Sequence, residues 1–232
     1  MSYSKTILCL ANSRKPGGHC VAGLEVGRGV RSWVRPVSSR STREISDQEE
    51  LYRDGTLPSL LDVISIEFER PLPERHQQEN HQIDDRQYWT KQRIAGWDEV
   101  ATIVENVSGP LWVNGFSSTN GNNDRVPESC LGQFNRSLYL IRPDDFELHV
   151  AVEGAQFGDP KRRVRACLSM SGHEYAFAVT DPQVEIEYLA KPDGRYRIKE
   201  ALITVSLGEV FHGFAYKLTA AVITPQRFGR RP

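Results

Sequence analysis

Asp62-Val-Ile-Ser-Ile-Glu-Phe68 alternates strictly, the period-two pattern of a β-strand with one face buried. Toward the N-terminus, Lys5–Leu10 is a short apolar run ending in Ala-Asn-Ser, followed by the turn signal Lys15-Pro-Gly-Gly18. Val21–Val26 resumes the pattern and stops at Gly27-Arg-Gly29, and Ser32-Trp-Val-Arg-Pro-Val37 is a third run, with Pro36 marking a sheet edge. These runs are spaced as a meander opening a small sheet or barrel. Ser38–Leu61 is a polar excursion with a short helix expected over Ile45–Tyr52, Pro71–Asp85 an extended loop, and Asp98–Asn106 a short helix near Trp97.

Further on, Gly-Pro, Asn114-Gly115, Asn120-Gly-Asn-Asn123 and Pro127 mark a change of composition. The reading is a domain over 1–110, a Gly- and Asn-rich linker or mobile loop over 111–136, and a domain over 137–232. Strands are expected at Leu138–Ile141, Leu148–Val152, Val164–Ser169, Glu174–Val179, Ile198–Leu207 and Tyr216–Thr224, with a helix from Pro182 to Leu189 and a turn at Lys191-Pro-Asp-Gly194. Closely spaced strands with few helices make the fold class mainly β, a β-rich α+β chain of small barrels or sandwiches.

At 232 residues, 39% hydrophobic and 25% charged, the chain can bury a core without metal or disulfide staples, and it is not a disordered composition. It has no apolar run of about 18 residues, and its start lacks the apolar core of a secretory signal, so no membrane role is expected. Cysteines at 9, 20, 130 and 167 form no C-x-x-C pair, which reads as reduced thiols in a cytoplasmic protein. The net charge of −1 conceals an asymmetry. Residues 1–45 carry 8 basic and 2 acidic side chains and residues 161–232 carry 12 and 7, while the stretch between is acidic. One cationic face is therefore open to the fold, although the acidic middle does not continue it.

Motifs for cofactor chemistry are missing. There is no G-x-x-x-x-G-K-[ST] loop, no G-x-G-x-x-G between a strand and a helix, and no G-x-S-x-G elbow, so no cofactor is expected. His76 and His81 stand five apart, a spacing that suits neither a helical zinc pair nor a zinc finger, and no metal is expected; in a polar loop they read as solvated side chains. Cys9 and Cys167 read as buried small hydrophobes. The positive signal is for nucleic acid. Asn12-Ser-Arg-Lys15 and Ser32-Trp-Val-Arg35 set cations, hydroxyls and an indole around turns, Lys161-Arg-Arg-Val-Arg165 adds a second cluster, and Phe228-Gly-Arg-Arg231 a third. Cations neutralise phosphates, and an exposed ring offers a stacking face to an unpaired base. Alternation puts Trp33 and Arg35 on one face, where Trp33 would serve as the stacking platform.

The segments Ile7-Leu-Cys-Leu-Ala-Asn-Ser-Arg-Lys15, Cys20-Val-Ala-Gly23 and Trp33-Val-Arg-Pro36, with Val205-Ser-Leu-Gly-Glu209 and Tyr216-Lys-Leu218 near the end, resemble the dual OB-containing domain family. The resemblance spans nearly the whole chain. It implies two small OB-like β-barrels in tandem with short helices, and a protein linked to prokaryotic nucleic-acid modification or defence systems. The expected activity is an accessory nucleic-acid-binding module, for DNA or RNA, that presents a strand to a partner enzyme. Its binding residues are expected to be Ser13, Lys15, Trp33, Arg35, Lys161, Arg163 and Lys217. The alternative is an enzyme acting on a nucleotide or nucleic acid, with Lys15, His19, Cys20, Glu209 and Lys217 near its centre.

Overall fold

In the computed structural model, described over residues 2–15, 17–27 and 31–229, the strand read from 62 to 68 extends over Asp62–Pro71 and sits inside a closed circuit. Parts of the turns at Pro16 and at Arg28-Gly29, and the cations Arg230 and Arg231, lie outside the described residues. The circuit consists of β1 (Tyr3–Lys15), β2 (Gly18–Glu25), β3 (Trp33–Val37), β4 (Asp62–Pro71) and β5 (Asn80–Ile83). Its order is β1-β2-β3-β5-β4, and β1 pairs again with β4 to close it. β3 and β5 run parallel and the other neighbours antiparallel. This is the five-stranded Greek-key barrel of the OB type. One strand can serve both β4 and β2 because it is bulged between Cys9 and Ala11, which bends it around the barrel. Gly23 lies opposite that bulge, and a Cβ there would stand 2.1 Å from the Leu8 carbonyl oxygen, so a side chain would force the strands apart.

β6 (Thr90–Ile94) joins β4 from outside, and α1 (Trp97–Ala101) leads to the connecting segment that carries β7 (Arg125–Pro127). The Gly- and Asn-rich stretch is well anchored: Leu111, Trp112, Val126 and Leu131 are buried in the second core. The second sheet contains β7 with β8 (Leu138–Ile141), β9 (Asp145–Glu153), β10 (Lys161–Met170), β11 (His173–Val179), β12 (Gly194–Arg197), β13 (Leu202–Phe211) and β14 (Phe214–Ile223); α2 (Pro182–Leu189) links β11 to β12, and α3 (Pro225–Phe228) follows β14. Its path β9-β10-β11-β14-β13-β8 repeats the first circuit, including a parallel pair, β11 with β14. Here the first strand is cut in two by Arg142-Pro143-Asp144. β8 pairs with β13 and β9 with β10, so two pieces do what bulged β1 does alone.

The expected fold class, two OB-like barrels with short helices, is the observed one. Differences are local. The segment 45–50 forms turns instead of a helix, because Ile45 pairs with His19. β5 occupies a stretch read as loop, and β12 begins at Gly194, the last residue of the expected turn, since neighbouring strands supply their hydrogen bonds. α2 matches its expected bounds; the Asp181 side chain accepts from the Gln183 and Val184 N–H groups and Pro182 fills its first position.

Alternation divides the first barrel cleanly. Ile7, Val21, Val34, Ile64, Ile66 and Phe68 fill its interior, while Leu8, Leu10, Ala22, Leu24, Trp33 and Val63 point outward. That outer face is covered. It packs on Leu138, Leu140, Leu202, Ala220 and Ile223 of the second barrel, with Trp97 and Val100 of α1 closing one side. Thr204 Oγ1 donates to the Leu10 carbonyl at 2.6 Å within the contact. Trp33, expected on an open face, is 7% exposed and its Nε1 donates to Glu105 at 3.0 Å. The stacking role is thereby corrected: the second barrel covers the face that alternation gave it. Trp33→Ala should lower unfolding free energy by about 3–5 kcal/mol in urea denaturation, as for other buried Trp truncations. Unchanged stability with weakened oligonucleotide binding would return Trp33 to a ligand face.

Candidate functional site

Where the barrels meet beyond the apolar contact, turns and strand ends from both form a polar cleft. β1 and β2 bring Ser13, Arg14, Lys15, His19 and Cys20, β3 brings Arg35, and the segment after it brings Arg43 and Glu44; the second barrel brings Thr180, Ser206 and Glu209. The inner space is about 60 Å³, roughly two waters in size. It adjoins an outer chamber of about 410 Å³ lined by Ser41, Thr42, Arg43, Arg75, His76 and Glu209, within the range of small-ligand pockets. Phe211, at the β13–β14 turn two residues past Glu209, is 63% exposed.

Buried charge ties the two walls together. Arg35, 3% exposed, donates from Nη2 to Ser137 at 2.8 Å and Ser206 at 3.4 Å, and lies 3.4 Å from Glu79. Ser137 in turn donates to Glu79. His76 and Gln77 bond to the Gly208 and Leu207 carbonyls of β13. Yet Arg35 Nε, Glu79 Oε2 and His76 Nδ1 are buried without hydrogen-bond partners among the described residues, the kind of unmet valence that a bound water or ligand satisfies. Burial lowers the His76 pKa. A hydrogen bond from Thr42 holds the Glu44 carboxyl below its usual value.

Arg14, Lys15, Arg35 and Arg43 outnumber Glu44 and Glu209 on the inner walls. Arg14 is paired with Glu185 at 2.9 Å and Lys15 with Glu209 at 2.7 Å, contacts that join the barrels across the cleft. Arg43 has no acidic partner among the described residues and a backbone φ of 62°, a left-handed conformation uncommon for a side chain of this size and a pointer to function. It escaped the sequence reading. Arg40-Ser-Thr-Arg43, with two cations around two hydroxyls, was the available signal.

The expected site residues separate into groups. Ser13, Lys15 and Arg35 line the cleft, as do His19, Cys20 and Glu209 of the alternative set. Lys161 and Arg163 stand exposed on β10 and do not line it; Lys161 pairs with Asp159. Lys217 is corrected outright. It points into the second barrel, 1% exposed, and donates to the Val113 carbonyl at 2.7 Å and to Asn114 at 3.2 Å. The histidines read as solvated are also buried or packed: His76 at β13, and His81 between Tyr3 and Phe68 with its pKa lowered to about 4 by burial. All four cysteines are free; Cys9 is in the core, whereas Cys167 is half-buried on the outer side of β10. For metal ligation, the geometry assembles one group of three among the described residues, His19, Asp47 and Glu50, in which burial pushes the Glu50 carboxyl up to about 7 against the lowering effect of His19. Among the described residues, no helix is long and apolar enough to cross a membrane.

Compared with known proteins, residues 5–222 match the family described as dual OB-containing domain. No curated protein and no solved structure matches the chain.

Lys217 sets a pH dependence on the fold. Desolvation pushes its pKa down to about 7, with the Asp124 charge opposing. The unfolded chain keeps that proton to about pH 10.4. Between these values the unfolded state binds more protons, so this lysine makes stability rise with pH. From pH 7 to 8.5, the unfolding free energy of the native protein minus that of Lys217→Met should climb by up to about 2 kcal/mol. A flat difference in pH-dependent denaturation would mean that the buried amine stays charged.

Proposed function

The chain belongs to the dual OB-containing domain family, and from that premise we propose that it is a nucleic-acid-binding module which takes a single strand at the cleft between its barrels. OB barrels grip oligonucleotides with a sheet face and connecting loops. In the first barrel the outer face of β2 and β3 is covered, which leaves the connecting loops. The observation that carries the reading is Arg43, a cation with no acidic partner among the described residues and a left-handed backbone conformation, placed where the inner space meets the outer chamber. One phosphate would sit among Arg43, Lys15 and the Nε of Arg35, with its nucleotide in the outer chamber, and exposed Phe211, the residue after the lining Val210, is the candidate for stacking. An accessory role beside a partner enzyme in a prokaryotic modification or defence system is part of the proposal and rests on the family resemblance. A cytoplasmic setting is supported by the four free thiols.

A second reading is favoured by one observation. Lys161, Arg163 and Arg165 alternate onto a single outer face of β10, the second strand of the second barrel, and both arginine and lysine at 161 and 163 are exposed. Titrating labelled single-stranded oligonucleotides by fluorescence anisotropy separates the two. Neutralising about four phosphates implies a loss of affinity of roughly tenfold or more between 50 and 200 mM salt. Arg43→Ala should weaken binding while Arg163→Ala leaves it unchanged. The reverse pattern moves the site to β10, and absence of binding at low salt rejects both.

A further inference from the structure

We propose that His19, Asp47 and Glu50 form a binding site for a divalent transition-metal ion, of the zinc or manganese class, on the wall of the first barrel beside the cleft. One ligand atom from each lies within 4.8 Å of the others. The arrangement follows from the local fold. His19 at the start of β2 and Ile45 exchange two backbone hydrogen bonds, 2.6 and 2.9 Å, which hold the following turn against the strand. In that turn the N–H groups of Glu49 and Glu50 both donate to the Ser46 carbonyl, so Asp47 and Glu50, three apart, lie on one side. The imidazole of His19 meets Glu50 through Nδ1.

A second observation points to a missing cation. Glu50 is fully buried, and its Oε2 has no hydrogen-bond partner among the described residues. Among the described residues, no lysine or arginine pairs with it; its one charge partner is His19. A carboxylate withdrawn from water with half of its acceptor capacity unmet is costly unless a proton or a metal compensates. One imidazole nitrogen with two carboxylates suits zinc or manganese better than the all-oxygen shells of calcium and magnesium or the thiolate shells of copper(I). An ion bonded at about 2.0–2.2 Å would replace the direct His19–Glu50 hydrogen bond, and Asp47, exposed at the surface, has the freedom to close in. Three protein ligands leave a fourth position for water or an anionic oxygen. His19 also lines the cleft.

The site is independent of nucleic-acid binding and is tested without it. Untagged full-length protein, stripped with chelator, is titrated with ZnCl2 and with MnCl2 by calorimetry, and melting is followed in parallel. One ion should bind per chain and raise the melting temperature. Asp47→Ala, at an exposed position that leaves the fold intact, should weaken binding at least about tenfold, and Glu50→Gln should do the same. No stoichiometric binding of either ion overturns the proposal, as does binding of native affinity in both variants, which would place the ion on other histidines or cysteines.

Discussion

The contact between the two barrels is the constraint on which the rest depends. Leu8, Leu10, Leu24 and Trp33 point away from the first barrel's own core, and without the second barrel they would form an apolar patch in water. Covering them joins the barrels. It also removes from solvent the β2–β3 face that an OB barrel ordinarily offers to an oligonucleotide. Beyond the apolar contact lies its rim, where Arg35, on the same side of β3 as Trp33, reaches Ser137 and Ser206 of the other barrel.

At that rim hydrophobic packing gives way to buried charge. A buried pair such as Arg35 with Glu79 adds little net stability over apolar packing, because each ion loses its hydration, but removing one partner strands the other. The pair therefore acts chiefly as a specifier of alignment: it is satisfied only when the β4–β5 connection, β3 and β13 meet in one register. The same alignment leaves Arg35 Nε and His76 Nδ1 beside the cleft without hydrogen-bond partners among the described residues. The cleft is lined from both barrels, so neither forms it alone.

The two barrels solve one geometric problem differently. A first strand that must pair with two neighbours on different sides has to bend, and the first barrel bends β1 at a bulge, opposite Gly23. The second breaks the strand at Pro143, whose missing N–H ends the ladder of β8 before β9 begins. Both keep one parallel pair in the circuit, β3 with β5 and β11 with β14.

The sequence by itself determined the class of structure and most of its strands. The alternation of Ile64, Ile66 and Phe68 specifies a face wherever the strand is placed, and Pro182 after Asp181 starts α2 from local chemistry alone. It also determined that Trp33 and Arg35 share a side of β3, since that follows from the pleat. Only the tertiary structure decided what that side meets, because exposure depends on a second barrel more than a hundred residues away. For the same reason Lys217, cationic in sequence, is an interior group whose pKa burial lowers, and Arg43, one basic residue in a polar stretch, stands at the cleft with no acidic partner among the described residues. Period and capping are local properties of the backbone, whereas desolvation and ion pairing are set by whichever distant segments the fold brings within a few ångströms.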